Sequence, residues 1–148
     1  NITKDINIHV PTILPHTYCQ NVNERLIIYK RLSNTNNKEQ LNELKEELID
    51  RFGLMPEQTK NLILFHQLRI DIDEYEIVKV DAGKAIIEIT FSKEIDIDPI
   101  KIIDLIQSDQ RYKMNGPDKL KITISIELVE DRVMFVRNIL KDLISKKN

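Results

Sequence analysis

The sequence is poor in the residues that build disulfides, metal sites and phosphate-binding loops. It has one cysteine, three glycines, three histidines and no tryptophan in 148 residues. A single cysteine forms no internal disulfide, and three glycines do not supply a glycine-rich phosphate loop. The paired-cysteine, H-E-x-x-H and G-x-S-x-G motifs of metal sites and hydrolases are also missing. These absences predict a chain that has no cofactor and no ATPase activity of its own.

Long apolar runs are missing as well. No run approaches the roughly 18 residues that a membrane-spanning helix needs, and no signal peptide opens the chain. With a single cysteine, this predicts a cytoplasmic protein without a membrane partner. The net charge of −2 also argues against a general nucleic-acid-binding protein, which usually has an excess of basic residues. The chain length fits one domain, and a first residue other than Met predicts a domain cut from a longer protein.

The order of apolar patterns predicts an α+β fold. Period-two alternation indicates strands, and apolar residues three or four positions apart indicate helices. The predicted elements are a strand at 6–10, helices at 21–33, 36–52 and 56–72, a hairpin of 76–80 and 84–91, a helix from 98, a short strand at 112–114, a strand at 120–128 and a helix at 130–145. In this order, β-α-α-α-β-β-α-β-β-α, we expect the helices to pack on one face of a small antiparallel or mixed sheet.

Start and stop signals divide the first helical region. Asn21 and Asn36 each precede a glutamate by three residues, which is a variant of the capping box. Gly53 stands where the C-terminus of a helix favours a positive φ, and Pro56 suits the first turn of the next helix. The spacing of the first helix predicts one apolar face, made of Val22, Leu26 and Tyr29.

The second predicted helix separates apolar from acidic residues. At about 100° per residue, its apolar side chains fall within an arc of roughly 80°, and they are Leu41, Leu44, Leu48 and Phe52. The opposite side carries Glu39, Glu43, Glu46, Glu47 and Asp50. This acidic side is either a solvated helix face or a docking surface for a basic partner. Like charges four residues apart weaken a helix by about a few tenths of a kcal/mol per pair, and arginines of a partner would relieve that repulsion.

The basic cluster of the first helix, the cysteine and the histidines are the other candidates for a binding or catalytic site. Arg25, Lys30 and Arg31 form a mild basic cluster, which fits a nucleic-acid contact or a solvated helix face. Cys19 is either a nucleophile whose partners assemble in space or, as is more typical of a lone cysteine, a small buried apolar residue. The histidines lack a partner at metal-ligand spacing, and they are His9, His16 and His66.

Several segments resemble the C-terminal domain of bacterial transcription-repair coupling factor. They are Leu14-Pro15, Asn23-Glu24-Arg25-Leu26, Tyr29-Lys30-Arg31, the run 47–53 (E-L-I-D-R-F-G) with Pro56, Asn115-Gly116-Pro117 and Lys119-Leu120. The resemblance extends from about Asp5 to Leu143. The chain departs from the family at His16-Thr17, where acidic residues are usual, and at Asn115, where Asp is usual.

The resemblance implies that residues 1–148 are a single, non-catalytic regulatory domain of a larger, multidomain, ATP-dependent DNA translocase. The parent protein of the family binds RNA polymerase stalled at DNA lesions and recruits nucleotide-excision repair through UvrA. In the family this domain docks on the UvrB-like N-terminal module, hides the UvrA-binding surface and restrains the motor until polymerase is engaged.

The resemblance also assigns residues to that docking. It implies that Glu47 and Asp50 contact arginines of the UvrB-like module, and Glu43 lies on the same acidic side. We expect the isolated domain to be a monomer. The alternative is an accessory module that binds nucleic acid through Arg25, Lys30 and Arg31.

Overall fold

The computed structural model describes residues 4–93 and 97–144. Along this part of the chain the elements are β1 (Asp5–Asn7), α1 (Val22–Ser33), α2 (Lys38–Phe52), α3 (Glu57–Ile72), β2 (Ile77–Ala82), β3 (Ile86–Phe91), α4 (Pro99–Ser108), β4 (Tyr112–Met114), β5 (Lys119–Thr123) and α5 (Val129–Leu143). The α+β class and the order of elements predicted from the sequence are confirmed. None of these helices is both long enough and apolar enough to cross a membrane.

The chain divides into two compact units. Residues 10–71 form the helical unit, which contains α1, α2 and all but the last residue of α3. The described residues of 1–9 and 72–148 form the sheet unit, with the five strands, α4 and α5.

The core of the helical unit is built by all three helices and by the segment that precedes them. Its buried residues are Leu14, Cys19, Ile28, Leu32, Leu41, Leu44, Leu48, Met55, Leu62 and Ile63. The predicted apolar stripe of α2 therefore faces this core, with Phe52 partly buried against it. Apolar burial of this extent is the main stabilising contribution to such a unit.

The predicted inner face of α1 is wrong for Val22 and Leu26 and correct for Tyr29, which packs against the helical core. Val22 and Leu26 are 58% and 61% exposed, whereas Ile28 and Leu32 are buried. Apolar residues occur around most of this helix, so their spacing did not define its rotation. The segment before the helix defines it instead, because the Tyr29 hydroxyl accepts a hydrogen bond from the Leu14 amide at 2.7 Å.

Capping residues set the limits of α2. The N-cap is Asn37 and not the predicted Asn36, since the Asn37 side chain accepts from the Gln40 amide at 2.8 Å. Gln40 in turn accepts from the Asn36 amide, so the two form a reciprocal cap one residue later than expected. At the other end Gly53 has a φ of 90°, which confirms the predicted helix stop. Its carbonyl accepts from the Tyr18 hydroxyl at 2.9 Å.

The sheet unit contains five strands in the order β1-β2-β3-β5-β4. β1 pairs with β2 in parallel, and the other neighbours are antiparallel. One face is buried, with the alternation expected of half-buried strands, and its residues include Val80, Ile87, Ile89, Leu120 and Ile122. α5 buries the predicted residues Val133, Val136, Leu140 and Leu143, together with Arg132 and Ile139.

Strand β5 is shorter than its sequence pattern predicts. The alternation continues to Leu128, but the strand ends at Thr123, and Leu128 is 65% exposed. Thr123 pairs with Ile86, the first residue of β3, so the partner strand ends there. Beyond Thr123 the chain bonds to the turn that precedes β3 instead, where the Ile124 amide donates to the Ala85 carbonyl.

Candidate functional site

Two ion pairs join α1 to α2 along one side of the helical unit. Arg51 Nη2 lies 2.8 Å from Glu24 Oε1, and Arg31 forms two bonds of 2.5 and 2.8 Å to the carboxylate of Glu47. Because the earlier residue of α1 pairs with the later residue of α2, the two helices run antiparallel. We call this line of contact, defined by Glu24, Arg31, Glu47 and Arg51, the α1–α2 seam.

Glu47 is the most strongly held residue of the seam. Both of its oxygens accept from Arg31, and Arg51 lies 3.4 Å from Oε2. The hydrogen bonds from Arg31, followed by the positive charges of Arg31 and Arg51, lower the pKa of Glu47 from 4.5 to about 2. Its side chain is 36% exposed. Glu47 thus lies at the edge of the acidic side that faces α1, where its carboxylate is paired and not free as the sequence predicts.

Asp50 and Glu43 lie on the outer side of α2, next to the seam. They are three residues after and four residues before Glu47, so all three share one side of the helix. Both are exposed, and within the described part of the chain neither side chain forms an ion pair or a hydrogen bond. Glu43 also lines a polar cleft of about 410 Å³, together with Arg31, Asn34, Gln40 and Glu47. The site thus combines one neutralised carboxylate with two free carboxylates.

The structure does not gather Arg25, Lys30 and Arg31 into one basic surface. The Arg25 guanidinium donates to the carbonyls of Cys19 and Gln20, at 2.6 and 3.2 Å. Arg31 is bound to Glu47, and only Lys30 extends into solvent without such a contact in the described structure. At 100° per residue the three side chains point to different sides of α1.

The histidines and Cys19 form no common site. Cys19 is fully buried, and burial raises the pKa of its thiol, which suppresses the reactive thiolate. His9 is paired with Asp81 in the sheet unit, and His16 is exposed in the helical unit. Among the described residues, no three His, Cys, Asp or Glu side chains come together as a metal site would require.

His66 is the exception among the histidines because it is buried. It is 5% exposed, and its Nδ1 accepts from Arg69 Nε at 3.1 Å. Burial, and then the charge of Arg69, lower the pKa of His66 from 6.5 to about 4. The imidazole is therefore neutral at pH 7 and serves as an acceptor within the helical unit.

Sequence reasoning missed Arg31 as an internal partner of Glu47. Arg51 is four residues after Glu47, and this spacing was a visible signal of a pair within α2. Arg31 is 16 residues earlier in the chain. Its contact depends on how α1 and α2 pack, which the sequence pattern did not define.

A solved structure shares this fold. It is described as the crystal structure of the C-terminal domain of transcription-repair coupling factor, with a TM-score of 0.75 over 96% of this chain and 94% of that one. The two sequences are 21% identical, so this likeness concerns the fold alone.

Curated sequences supply the closer relationship. The transcription-repair-coupling factors of Haemophilus influenzae and Escherichia coli are 40% and 31% identical to this chain over 140 residues. Each match covers 94% of this chain but only 12% of the relative. The model of the TRCF domain family matches residues 8–102, which is more than half of the chain. The chain therefore belongs to the TRCF domain family.

Proposed function

We propose that this chain is the C-terminal, non-catalytic regulatory domain of a transcription-repair coupling factor and that it inhibits its own parent protein. In this proposal it docks on the UvrB-like N-terminal module through the outer side of α2. Docking masks the surface that binds UvrA and restrains the DNA translocase. Engagement of stalled RNA polymerase releases the domain.

The free carboxylates of Asp50 and Glu43 are the observation that supports this docking. Both extend from a helix whose other side is anchored in the core, and neither is neutralised within the described structure. A guanidinium of a partner would form charge-assisted hydrogen bonds to either of them. Complementary charge of this kind selects the partner and its orientation.

Glu47 has a different part in the proposal. Its carboxylate is already held by Arg31, so a partner's arginine has to share it or displace Arg31. We assign the direct contacts to Asp50 and Glu43, with Glu47 holding α2 against α1 in the orientation that presents them.

The alternative function, nucleic-acid binding through α1, gains no support from the geometry. Two of its three cations are engaged within the helical unit. The phosphate contacts of nucleic-acid-binding proteins come from basic side chains that share one surface.

Asp50→Lys in the full-length parent protein tests the proposal. Replacing an attractive contact by a repulsive one destabilises the docked state, and such juxtapositions are worth several kcal/mol in other interfaces. We expect stronger UvrA binding in a pull-down and a higher rate of ATP hydrolysis without polymerase.

The matched control is Asp142→Lys. Asp142 is an exposed carboxylate of α5 in the sheet unit, and its reversal changes the net charge by the same amount. We expect this variant to behave as the unchanged parent. If Asp50→Lys and Asp142→Lys give the same UvrA binding and ATPase rate, docking through the outer side of α2 is refuted.

A further inference from the structure

Ile27 lies on the side of α1 that forms the seam with α2. Glu24, Ile27 and Arg31 follow the spacing i, i+3, i+7 and so share one side of the helix. Glu24 and Arg31 are the two residues of α1 that pair with α2. Along α1, Ile27 therefore stands between the two residues that form the ion pairs, and it is 57% exposed.

The surroundings of Ile27 are charged. Glu24 and Arg31, which form the two ion pairs, flank Ile27 along α1, and Asp50 stands on α2 one residue before Arg51 and three after Glu47, the residues that complete those pairs. Covering an exposed isoleucine side chain with an apolar group of a partner is favourable, because it removes apolar surface from water. At this position a partner that binds Asp50 would also cover Ile27.

We propose that Ile27 is the apolar centre of the docking surface and that the partner presents arginine side chains next to an apolar side chain. This inference rests on the function proposed above and adds the chemistry of the partner. The free carboxylates Asp50 and Glu43 select the guanidinium groups through charge complementarity. Ile27 packs against the apolar side chain that the partner presents beside those guanidinium groups.

The arrangement matches the physical organisation of protein interfaces. Binding energy concentrates in a few central residues, and surrounding polar groups exclude water from them. Once Ile27 is covered, the seam loses its contact with water, and the lower local dielectric strengthens the contact between Asp50 and an arginine. A purely basic partner without an apolar group would lose this gain.

The test compares Ile27→Ser with Leu26→Ser in the full-length parent protein. Leu26 is on the same helix and is 61% exposed, but it lies outside the stripe that bears Glu24 and Arg31. Both substitutions remove an exposed apolar side chain of the same size. The matched pair therefore separates docking from any general effect on α1.

We expect Ile27→Ser to raise the apparent affinity for UvrA about tenfold, since that affinity scales with the fraction of open protein. Leu26→Ser should change it by less than about twofold, and Ile27→Leu should restore the affinity of the unchanged parent. The effect of Ile27→Ser should also persist at high salt, where the effect of Asp50→Lys weakens through screening.

The outcomes separate this inference from the proposed function. If Asp50→Lys strengthens UvrA binding while Ile27→Ser matches Leu26→Ser, the docking function stands and the role of Ile27 is overturned. If Asp50→Lys and Ile27→Ser both leave UvrA binding unchanged, the docking function itself fails. Thermal unfolding of each variant checks that the parent remains folded, which we expect because substitutions at exposed positions have small effects on stability.

Discussion

Gly53 ends α2 in a backbone conformation that an L-residue adopts only with strain. Its φ is 90°, and its amide still donates to Ile49 at 2.9 Å. A Cβ at this position would meet no atom within 4 Å, so space is not limiting. The requirement for glycine is therefore a requirement of backbone geometry alone.

Gly53→Ala should lower the free energy of unfolding of the isolated chain by about 1 kcal/mol or more, because alanine is strained at positive φ. Gly53→Asn should lower it less, since asparagine tolerates positive φ better than alanine. Urea denaturation of the three proteins measures both differences. Equal stability of the alanine variant and the unchanged chain would show that the chain leaves α2 differently in solution.

His66 couples the stability of the helical unit to pH. Its pKa is lowered from 6.5 to about 4 by burial and by Arg69. Between these two values the unfolded chain binds more protons than the folded one, so stability falls as the pH decreases. The contribution of neutral His66 is complete above pH 6.5 and is lost towards pH 4.

His66→Asn should reduce this pH dependence. An asparagine oxygen can still accept from Arg69, but it does not titrate in this range. The free energy of unfolding of the unchanged chain should fall between pH 7 and pH 4.5 by about 2 kcal/mol more than that of the variant. Urea midpoints at both pH values give the comparison, and parallel pH profiles of the two proteins would contradict it.

At the scale of elements, the pairing of α1 with α2 depends on apolar burial beneath it and ion pairs along its edge. Ile28 and Leu32 of α1 and Leu44 and Leu48 of α2 are buried in the same hydrophobic core. The pairs of the seam are partly exposed, so each is worth little by itself. They join Glu24 to Arg51 and Arg31 to Glu47 across the antiparallel helices.

Glu47→Gln should lower the free energy of unfolding by about 0.5–1 kcal/mol, because the bidentate contact with Arg31 is lost. Glu43→Gln removes an equal charge without breaking an ion pair, so it is the matched control and should be nearly neutral. In a double-mutant cycle the effects of Glu47→Gln and Arg31→Gln should not add. Additive effects would show that the pair is absent in solution.

The contribution of the Arg31–Glu47 pair to stability also depends on pH. The lowered pKa of Glu47 means that its contribution is present above pH 4.5 and is lost as the pH falls towards about 2. Reversal of Glu47 would therefore disturb the seam as well as any partner contact, and for this reason Asp50 is the better probe of docking.

At the scale of the whole molecule, the chain matches only a small part of the length of its relatives. It matches 12% of the length of the Haemophilus influenzae and Escherichia coli factors, and its charged site lies on the surface of a helix. A site of this kind suits contact with another folded surface. The proposed docking and the proposed role of Ile27 both depend on that partner surface and are tested in the parent protein.

The sequence by itself determined the order of elements, the stop at Gly53 and the buried stripes of α2 and α5. These features arise from local causes, namely backbone sterics, capping groups and helical periodicity. The rotation of α1, the end of β5 and the partners of Glu47 were decided only in the tertiary structure. Val22 and Leu26 are as apolar as Ile28 and Leu32, and only packing selects which of them is buried. Arg31 and Glu47 meet because packing brings α1 alongside α2, and no local spacing encodes that contact.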